Sequence, residues 1–288
     1  MPELWECFLE LVRKASTELP GDVTKAIKQA AEAESSPAAA HTLELLLRNA
    51  DESRRLCTPI CQDTGTPIFY VEGGPEFGAR DVEAAIHRAV EEATKKYYLR
   101  PNAVDPLTGK NSGNNIGKGF PYIHFEERTE PGLHARLMLK GGGSENVGAQ
   151  YRLPDGRLKA GRDLEGVRRC VLDAVWTAQG EGCAPGIIAV GVGGDRGSSF
   201  IESKEQLFRN LEDTNPIPEL AALEERLMNE LNQLGIGPMG FGGRTTVLGV
   251  KIGTRHRVPA CYFVSVSYLC WAARKAKMNF NGEKAEYE

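Results

Sequence analysis

The sequence contains no apolar run approaching the roughly 18 residues that a membrane-crossing helix needs, which argues against a transmembrane helix. It has no basic opening stretch: Met1-Pro2-Glu3-Leu4-Trp5-Glu6 lacks the shape of a secretory signal, and the expected compartment is the cytoplasm. It has no excess of cations either, because 35 Lys and Arg stand against 39 Asp and Glu for a net charge of −4. That balance argues against a nucleic-acid partner, which would want a basic face or stripe. A small anionic partner stays open, since one local arginine decides that and the net charge does not. Internal repeats, low-complexity tracts and a convincing linker are also missing. The 288 residues, 41% of them hydrophobic, therefore read as a single large domain (1–288) with a sizeable core.

Paired cysteines are scarce as well. There are seven, at positions 7, 57, 61, 170, 183, 261 and 270, an odd number that argues against a secreted disulfide framework and for reduced, metal-binding or buried thiols. Zinc sites bring their cysteines in close pairs. Cys57 and Cys61 could form one, completed by His41 or His256, but no second pair follows; Cys183 lies 122 residues after Cys61, and Cys270 another 87. The tight local run of an electron-transfer cluster is absent too. The bland alternative is that most of the seven are small buried hydrophobes.

Local chemistry separates them. Cys7, Cys170 and Cys261 fall within apolar or helical patterns and read as structural. Cys61 leads into Gln62-Asp63-Thr64-Gly65, Cys183 stands between Gly182 and Ala184-Pro185-Gly186, and Cys270 ends an apolar strand beside Trp271 with Arg274 a turn away. Loop-borne thiols near arginine or backbone N–H groups stay ionised, as metal ligands must. Three thiolates can hold three irons of a cubane cluster and leave the fourth open to a substrate oxygen.

The pattern of elements predicts an α/β (or α+β) fold, with mixed sheets surrounded by helices. Residues 3–56 read as helices with a break at 35–37. A strand is predicted at 66–71, a helix capped by Asp81 at 81–99, strands at 120–126 and 133–140, and a helix around Val167 to Trp176. The run 187–192 reads as a buried strand, 216–234 as a helix, 245–253 and 260–268 as strands, and 277–288 as a polar tail. Residues 100–119 form a long loop of the kind that is usually functional or mobile.

Two glycine-rich stretches invite a phosphate reading. Gly113-Asn114-Asn115-Ile116-Gly117-Lys118-Gly119 has three residues between glycines where a nucleoside-triphosphate loop needs four, and no Ser or Thr after the lysine. Gly191-Val192-Gly193-Gly194-Asp195-Arg196 follows a strand, but Arg196 stands where the third glycine of a dinucleotide fingerprint belongs; tight turns carry such glycines for backbone reasons alone. The loops at 141–146 and 237–243 could instead form anion nests from consecutive N–H groups, or be plain hairpin and helix-exit loops.

Four motifs together resemble one family. Cys61-Gln62-Asp63-Thr64-Gly65, Lys140-Gly141-Gly142-Gly143-Ser144-Glu145-Asn146, Gly182-Cys183-Ala184-Pro185-Gly186 and Val264-Ser265-Val266-Ser267-Tyr268-Leu269-Cys270-Trp271-Ala272 resemble the iron–sulfur (class I) fumarase and L-tartrate dehydratase family over about residues 5–276. The chain looks like its separate α subunit, equivalent to the N-terminal region of the fused enzymes. The resemblance implies a 4Fe–4S cluster held by Cys61, Cys183 and Cys270, whose open iron binds the hydroxyl and one carboxylate of a hydroxy acid. It further implies substrate contacts from Gln62, Asp63, Arg100 and the loop residues Gly143, Ser144 and Asn146. Ala184 replaces a proline common in the family, and Met239 and Phe241 replace more polar residues, which counts against a ligand role for that loop. His256 is the one candidate for a family histidine.

The implied reaction is the reversible hydration of fumarate to (S)-malate, with dehydration of L-tartrate to oxaloacetate as the alternative. Arg100 is a candidate bidentate carboxylate clamp, against a bland role at a helix C-terminus. Asp63 is the candidate for proton traffic, against a bland role as a turn former. The resemblance also implies a β subunit that completes the site, in an α2β2 assembly, without which the chain is inactive. Two other classes remain as contrasts: a zinc-stabilised binding module on Cys57, Cys61 and a histidine, and a dinucleotide-binding oxidoreductase.

Overall fold

A computed structural model describes residues 3–288; Met1 and Pro2, the start of the stretch read above as lacking a signal, lie outside the described residues. The helices are α1 (Leu4–Thr17), α2 (Gly21–Ala33), α3 (Pro37–Leu56), α4 (Ala79–Lys95), α5 (Gly142–Asn146), α6 (Leu164–Ala178), α7 (Arg196–Gln206) and α8 (Pro218–Asn232). The strands are β1 (Thr66–Gly73), β2 (Tyr122–Glu127), β3 (Leu133–Lys140), β4 (Ala149–Arg152), β5 (Gly186–Gly193), β6 (Val247–Arg255), β7 (Phe263–Leu269), β8 (Lys275–Phe280) and β9 (Ala285–Tyr287). They form two mixed sheets, so the expected α/β class holds. No described helix is long and apolar enough to cross a membrane.

Contacts divide the chain into two compact units, one made of the residues up to Pro20, Arg48–Gly142 and Arg274–Glu288, the other of Gly21–Leu47 and Gly143–Ala273. The chain enters each unit more than once, so no single cut parts them, and the sequence accordingly shows no linker.

The first unit is built on the sheet β2-β1-β3-β8-β9, with β1 parallel to β2 and antiparallel to β3. Phe8, Leu11 and Val12 of α1 and Val82, Ile86 and Val90 of α4 recur at helical spacing and bury against Phe69, Val71, Leu137 and Met278 of the sheet. Each such side chain contributes roughly 1.5–3 kcal/mol by leaving water. Two expectations are corrected here. Helix α4 starts at Ala79 with Gly78 as its N-cap, so Asp81 lies in the first turn, where its charge suits the helix dipole rather than capping it. Residues 277–288 are not a tail: β8 and β9 extend the sheet, and Met278 and Phe280 are buried. Alternation of apolar and charged residues over Lys275–Phe280 is the strand signal hidden beneath the polar composition.

The second unit is built on the sheet β4-β7-β5-β6, with β5 parallel to β6 and antiparallel to β7. Ile188, Val190 and Val192 of β5 share a core with Val167, Val171 and Val175 of α6 and with Leu223, Leu227 and Leu231 of α8. Helix α7 approaches β5 so closely that a Cβ on Gly191 would lie 2.1 Å from the Ser199 carbonyl oxygen. The interface is polar: Ser199 Oγ donates to the Gly191 carbonyl at 3.0 Å, Ser265 Oγ to Ser199 Oγ at 2.8 Å, and Ser203 and Ser267 share a bond at 2.7 Å. No apolar stripe marks such a helix, which is why α7 is absent from the sequence reading.

Candidate active site

The Cys61 loop belongs to the first unit. Cys61 is half-buried, and Gln62 and Asp63 are exposed. Asp63 shapes the turn with both carboxylate oxygens: Oδ1 accepts the Gly65 N–H at 2.9 Å and Oδ2 the Gly142 N–H at 2.7 Å. Its backbone carbonyl accepts from Arg274 Nη1. Gly65 has φ +79°, and a Cβ there would stand 2.8 Å from the backbone carbons of Leu139 and Lys140, so only glycine fits. Buried Thr64 accepts the Arg100 N–H and the Asn102 Nδ2–H through Oγ1, both at 3.0 Å.

Arg100 lies beyond the end of α4, so the bland reading of a helix-terminal cation fails. Its Nη1 reaches the Gln62 carbonyl at 3.4 Å and its guanidinium is otherwise exposed. Buried Asn115 pins the surrounding loop: its Oδ1 accepts the N–H groups of Asn102 and Ala103, and its Nδ2 donates to the Arg100 carbonyl at 2.8 Å and to Thr94 Oγ1 at 2.9 Å. Asp63, Gln62 and Arg100 are therefore neighbours on one loop system.

Cys183 and Cys270 belong to the second unit. Cys183 has φ +59°, a left-handed conformation that costs a non-glycine residue about 1–2 kcal/mol, and it is held by hydrogen bonds on both sides. Its N–H donates to Gly180 O at 3.0 Å, and its carbonyl accepts the Trp271 N–H at 3.2 Å, which ties the Cys183 loop to the end of β7 beside Cys270. The Tyr268 ring packs closely against this loop. A Cβ on Gly182 would be 2.7 Å from the ring, and one on Gly186 2.3 Å from it. Tyr268 is 2% exposed, yet its hydroxyl has no hydrogen-bond partner among the described residues. Burial, and then the neighbouring Cys270 and Cys183 thiols, push its ionisation well above the ordinary tyrosine value, so the proton stays on.

The glycine-rich stretches resolve as supports. Gly142–Asn146 is a short helix whose first N–H, that of Gly142, is engaged by the Asp63 carboxylate. Within it Ser144 is buried, Gly143 and Asn146 are exposed, and a Cβ on Gly143 would meet Glu181 O at 3.2 Å, one turn from Cys183. In the loop 237–243, Met239 N–H donates to the Ala184 carbonyl at 2.8 Å and Gly240 touches Gly180, while Phe241 is 72% exposed. Both contacts brace the Cys183 loop. His256 is exposed.

Of the seven thiols, no two are joined by a disulfide. Cys7 and Cys170 are buried, and burial pushes both thiols up, Cys170 to about 12, which fits inert packing roles. Cys57 turns to Arg13 Nη1 and the Tyr98 hydroxyl, at 3.9 and 4.0 Å, and so does not pair with Cys61 as a zinc module would need. Within neither unit do three His, Cys, Asp or Glu side chains gather to share a metal ion among the described residues. The three singled-out cysteines divide one to two: Cys61 in the first unit, Cys183 and Cys270 in the second. The donor chemistry fits an iron–sulfur group, with loop-borne sulfurs, glycine-flanked at Cys183, and an unpartnered buried O–H donor against the Cys183 loop.

The dinucleotide reading finds no support. Gly191 and Gly193 serve close packing, against α7 and Arg255, and the α7 N-terminus is closed by Asp195, whose carboxylate accepts the Ser198 N–H at 2.6 Å. Two residues escaped the sequence reading as site members. Tyr268 stands in the sequence motif that ends at Cys270 and Ala272, with no role of its own assigned there. Arg274, expected to attend Cys270, belongs to the first unit; it is 1% exposed, donates to the Asp63 carbonyl, and its Nε has no partner among the described residues.

Comparison with known proteins adds the family. The model for "Fumarate hydratase (Fumerase)" matches residues 6–279. A putative class I fumarate hydratase of Geobacillus stearothermophilus is 46% identical over 290 positions, which cover 99% of this chain and 56% of that protein. A putative L(+)-tartrate dehydratase subunit alpha of Methanocaldococcus jannaschii is 34% identical over 94% of this chain and 95% of its own length. The L(+)-tartrate dehydratase subunit alpha of Escherichia coli K12 is 32% identical over 96% and 90%. The chain thus spans about half of the first relative and nearly all of the other two.

Proposed function

From the premise that this chain belongs to the hydro-lyase family of class I fumarate hydratase and the L-tartrate dehydratase α subunit, we propose that it is the cluster-holding part of an enzyme interconverting fumarate and (S)-malate. The observation that carries the reading is the bracing of Cys183 and Cys270 around Tyr268, through the Trp271 to Cys183 hydrogen bond and the glycines that admit the ring. Cys61, Cys183 and Cys270 would hold a 4Fe–4S cluster. When bound, the cluster supplies a Lewis-acidic site for the oxygen lost or gained by the substrate.

The chain's own residues do the rest. Arg100 offers a fork to a substrate carboxylate, and its charge stabilises the negative charge that accumulates there as the C3 proton leaves. Asp63 is fixed through both oxygens in the same loop, and its carboxylate carries that proton. Gln62 presents an amide beside them. Gly143, Ser144 and Asn146 complete the set of substrate contacts that the reading assigns.

Two facts support a second polypeptide: the chain matches 56% of the Geobacillus protein, and its relatives of similar length are named as α subunits. We therefore assign a β-type partner in an α2β2 assembly, active only together, in the reducing cytoplasm where unpaired thiols persist. The test is anaerobic reconstitution of the chain with a co-expressed β-type partner, followed by assays on malate and tartrate. Malate turnover, with iron and sulfide bound and lost in Cys61→Ser, Cys183→Ser and Cys270→Ser, is expected. A colourless zinc protein, or full activity of the α chain alone, would overturn the reading. The tartrate alternative is favoured by the two relatives of matching length; preferred turnover of tartrate to oxaloacetate decides for it.

A further inference from the structure

A buried hydroxyl without a partner is costly, of order 1–3 kcal/mol, and therefore needs a reason. Tyr268 is the one tyrosine among the described residues whose hydroxyl is in this state. The cost is deliberate in the sense that the surroundings make room for the ring: Gly182 and Gly186, on either side of Cys183, lack the Cβ atoms that would strike it, and a Cβ on Gly186 would come within 2.6 Å of the hydroxyl oxygen itself. Phenylalanine would fill the same space with no orphaned donor. Tyr268 lies near the end of β7, and Cys270 follows two positions later, just past the strand's last residue, Leu269. The donor thus stands against the loop of Cys183, on the strand that leads into Cys270.

Resting on the cluster reading above, we propose that the Tyr268 hydroxyl is a hydrogen-bond donor to a sulfur of the iron–sulfur group held by Cys183 and Cys270, a thiolate or an inorganic sulfide. It is a positioning residue: it touches the group, not the substrate. A donor to sulfur withdraws negative charge, favours the reduced state of the cluster, and so raises its reduction potential. It also slows loss of the group by satisfying one of its sulfurs.

The test uses Tyr268→Phe in the holoenzyme reconstituted anaerobically with its partner. Wild-type iron and acid-labile sulfide are measured first; if the wild type takes up neither, the cluster reading itself falls and this proposal with it. If it loads, an EPR-monitored titration should show a lower midpoint potential in Tyr268→Phe than in wild type, and iron release to a chelator should be faster. Thermal unfolding of the cluster-free chain supplies the control. Tyr268→Phe should be there as stable as wild type, or more so, because it removes an unsatisfied buried group. An unchanged potential and release rate would overturn the proposal. So would a cluster-free variant that unfolds earlier or fails to fold, since the hydroxyl would then serve the polypeptide and not the cluster.

Discussion

The two units hold their cysteines by opposite means. In the second unit Cys183 and Cys270 are set by packing and by the backbone: an aromatic ring wedged against glycines, a strand end, and backbone bonds to Gly180, Trp271 and Ala273. In the first unit Cys61 is set by hydrogen bonds in an exposed loop, through the Asp63 carboxylate, Thr64, and a buried arginine. Packing tolerates no added atom, because interiors are close-packed and cannot flow around a new methyl group. A hydrogen-bonded loop loses one bond at a time. The second unit thus gives its two cysteines a rigid support, and the first gives Cys61 a loop whose side chains Gln62 and Asp63 stay exposed.

The largest effect should come from Gly186→Ala. Its methyl group would fall 2.3 Å from two ring carbons of Tyr268, a side chain already pressed against Gly182 and too buried to swing away. A loss of about 3 kcal/mol is expected from such overpacking, read as a lowered urea midpoint. A variant within about 0.5 kcal/mol of wild type, the usual range for surface sites, would break the contrast between the units.

Asp63→Asn tests the other side. An amide retains one acceptor oxygen, so either Gly65 or Gly142 loses its partner, at about 1 kcal/mol. Stability should therefore fall modestly and bound iron should stay at the wild-type level, while turnover drops on the order of 100-fold or more through loss of the proton carrier. Wild-type turnover in a fully loaded Asp63→Asn enzyme would reduce the carboxylate to a turn former.

Much of this contrast was legible in the sequence, and the reason is local chemistry. Cys61 and Cys183 stand out because turn residues surround them, and those turns are real; Cys270 stands out because it ends an apolar strand beside Trp271. The buried strand over 187–192 and the helices with apolar stripes were readable because core positions repeat with the period of the element. What stayed hidden depended on distant partners. Helix α7 packs through Ser199 and Ser203 against Ser265 and Ser267, far away in sequence. Strands β8 and β9 look polar because Lys275, Lys277, Asn279 and Glu286 alternate with the apolar positions, and only Asn279 and Glu286 of these are exposed. The roles of Tyr268 and Arg274 rest on what they meet, and a tyrosine in a strand or an arginine after a turn carries no local mark of an orphaned donor.

The smallest expected effect is one on which the two units should agree. In the second unit Arg157 pairs with Asp173 at 2.7 and 2.9 Å and, with the Tyr151 hydroxyl, outweighs burial and holds the carboxyl below its ordinary value. In the first unit burial alone would raise Glu18, but Arg13 and Lys14 prevail and depress it. A carboxyl whose folded value lies below its unfolded one contributes stability above about pH 4, and loses it as pH falls through the folded value. Asp173→Asn and Glu18→Gln should each lower the urea midpoint slightly at neutral pH and converge on wild type as the pH falls through the depressed folded values. Such pairs are screened and sit near the surface, so salt should shrink both differences alike. A pH dependence confined to one variant would show that the units differ in electrostatics as well as in packing.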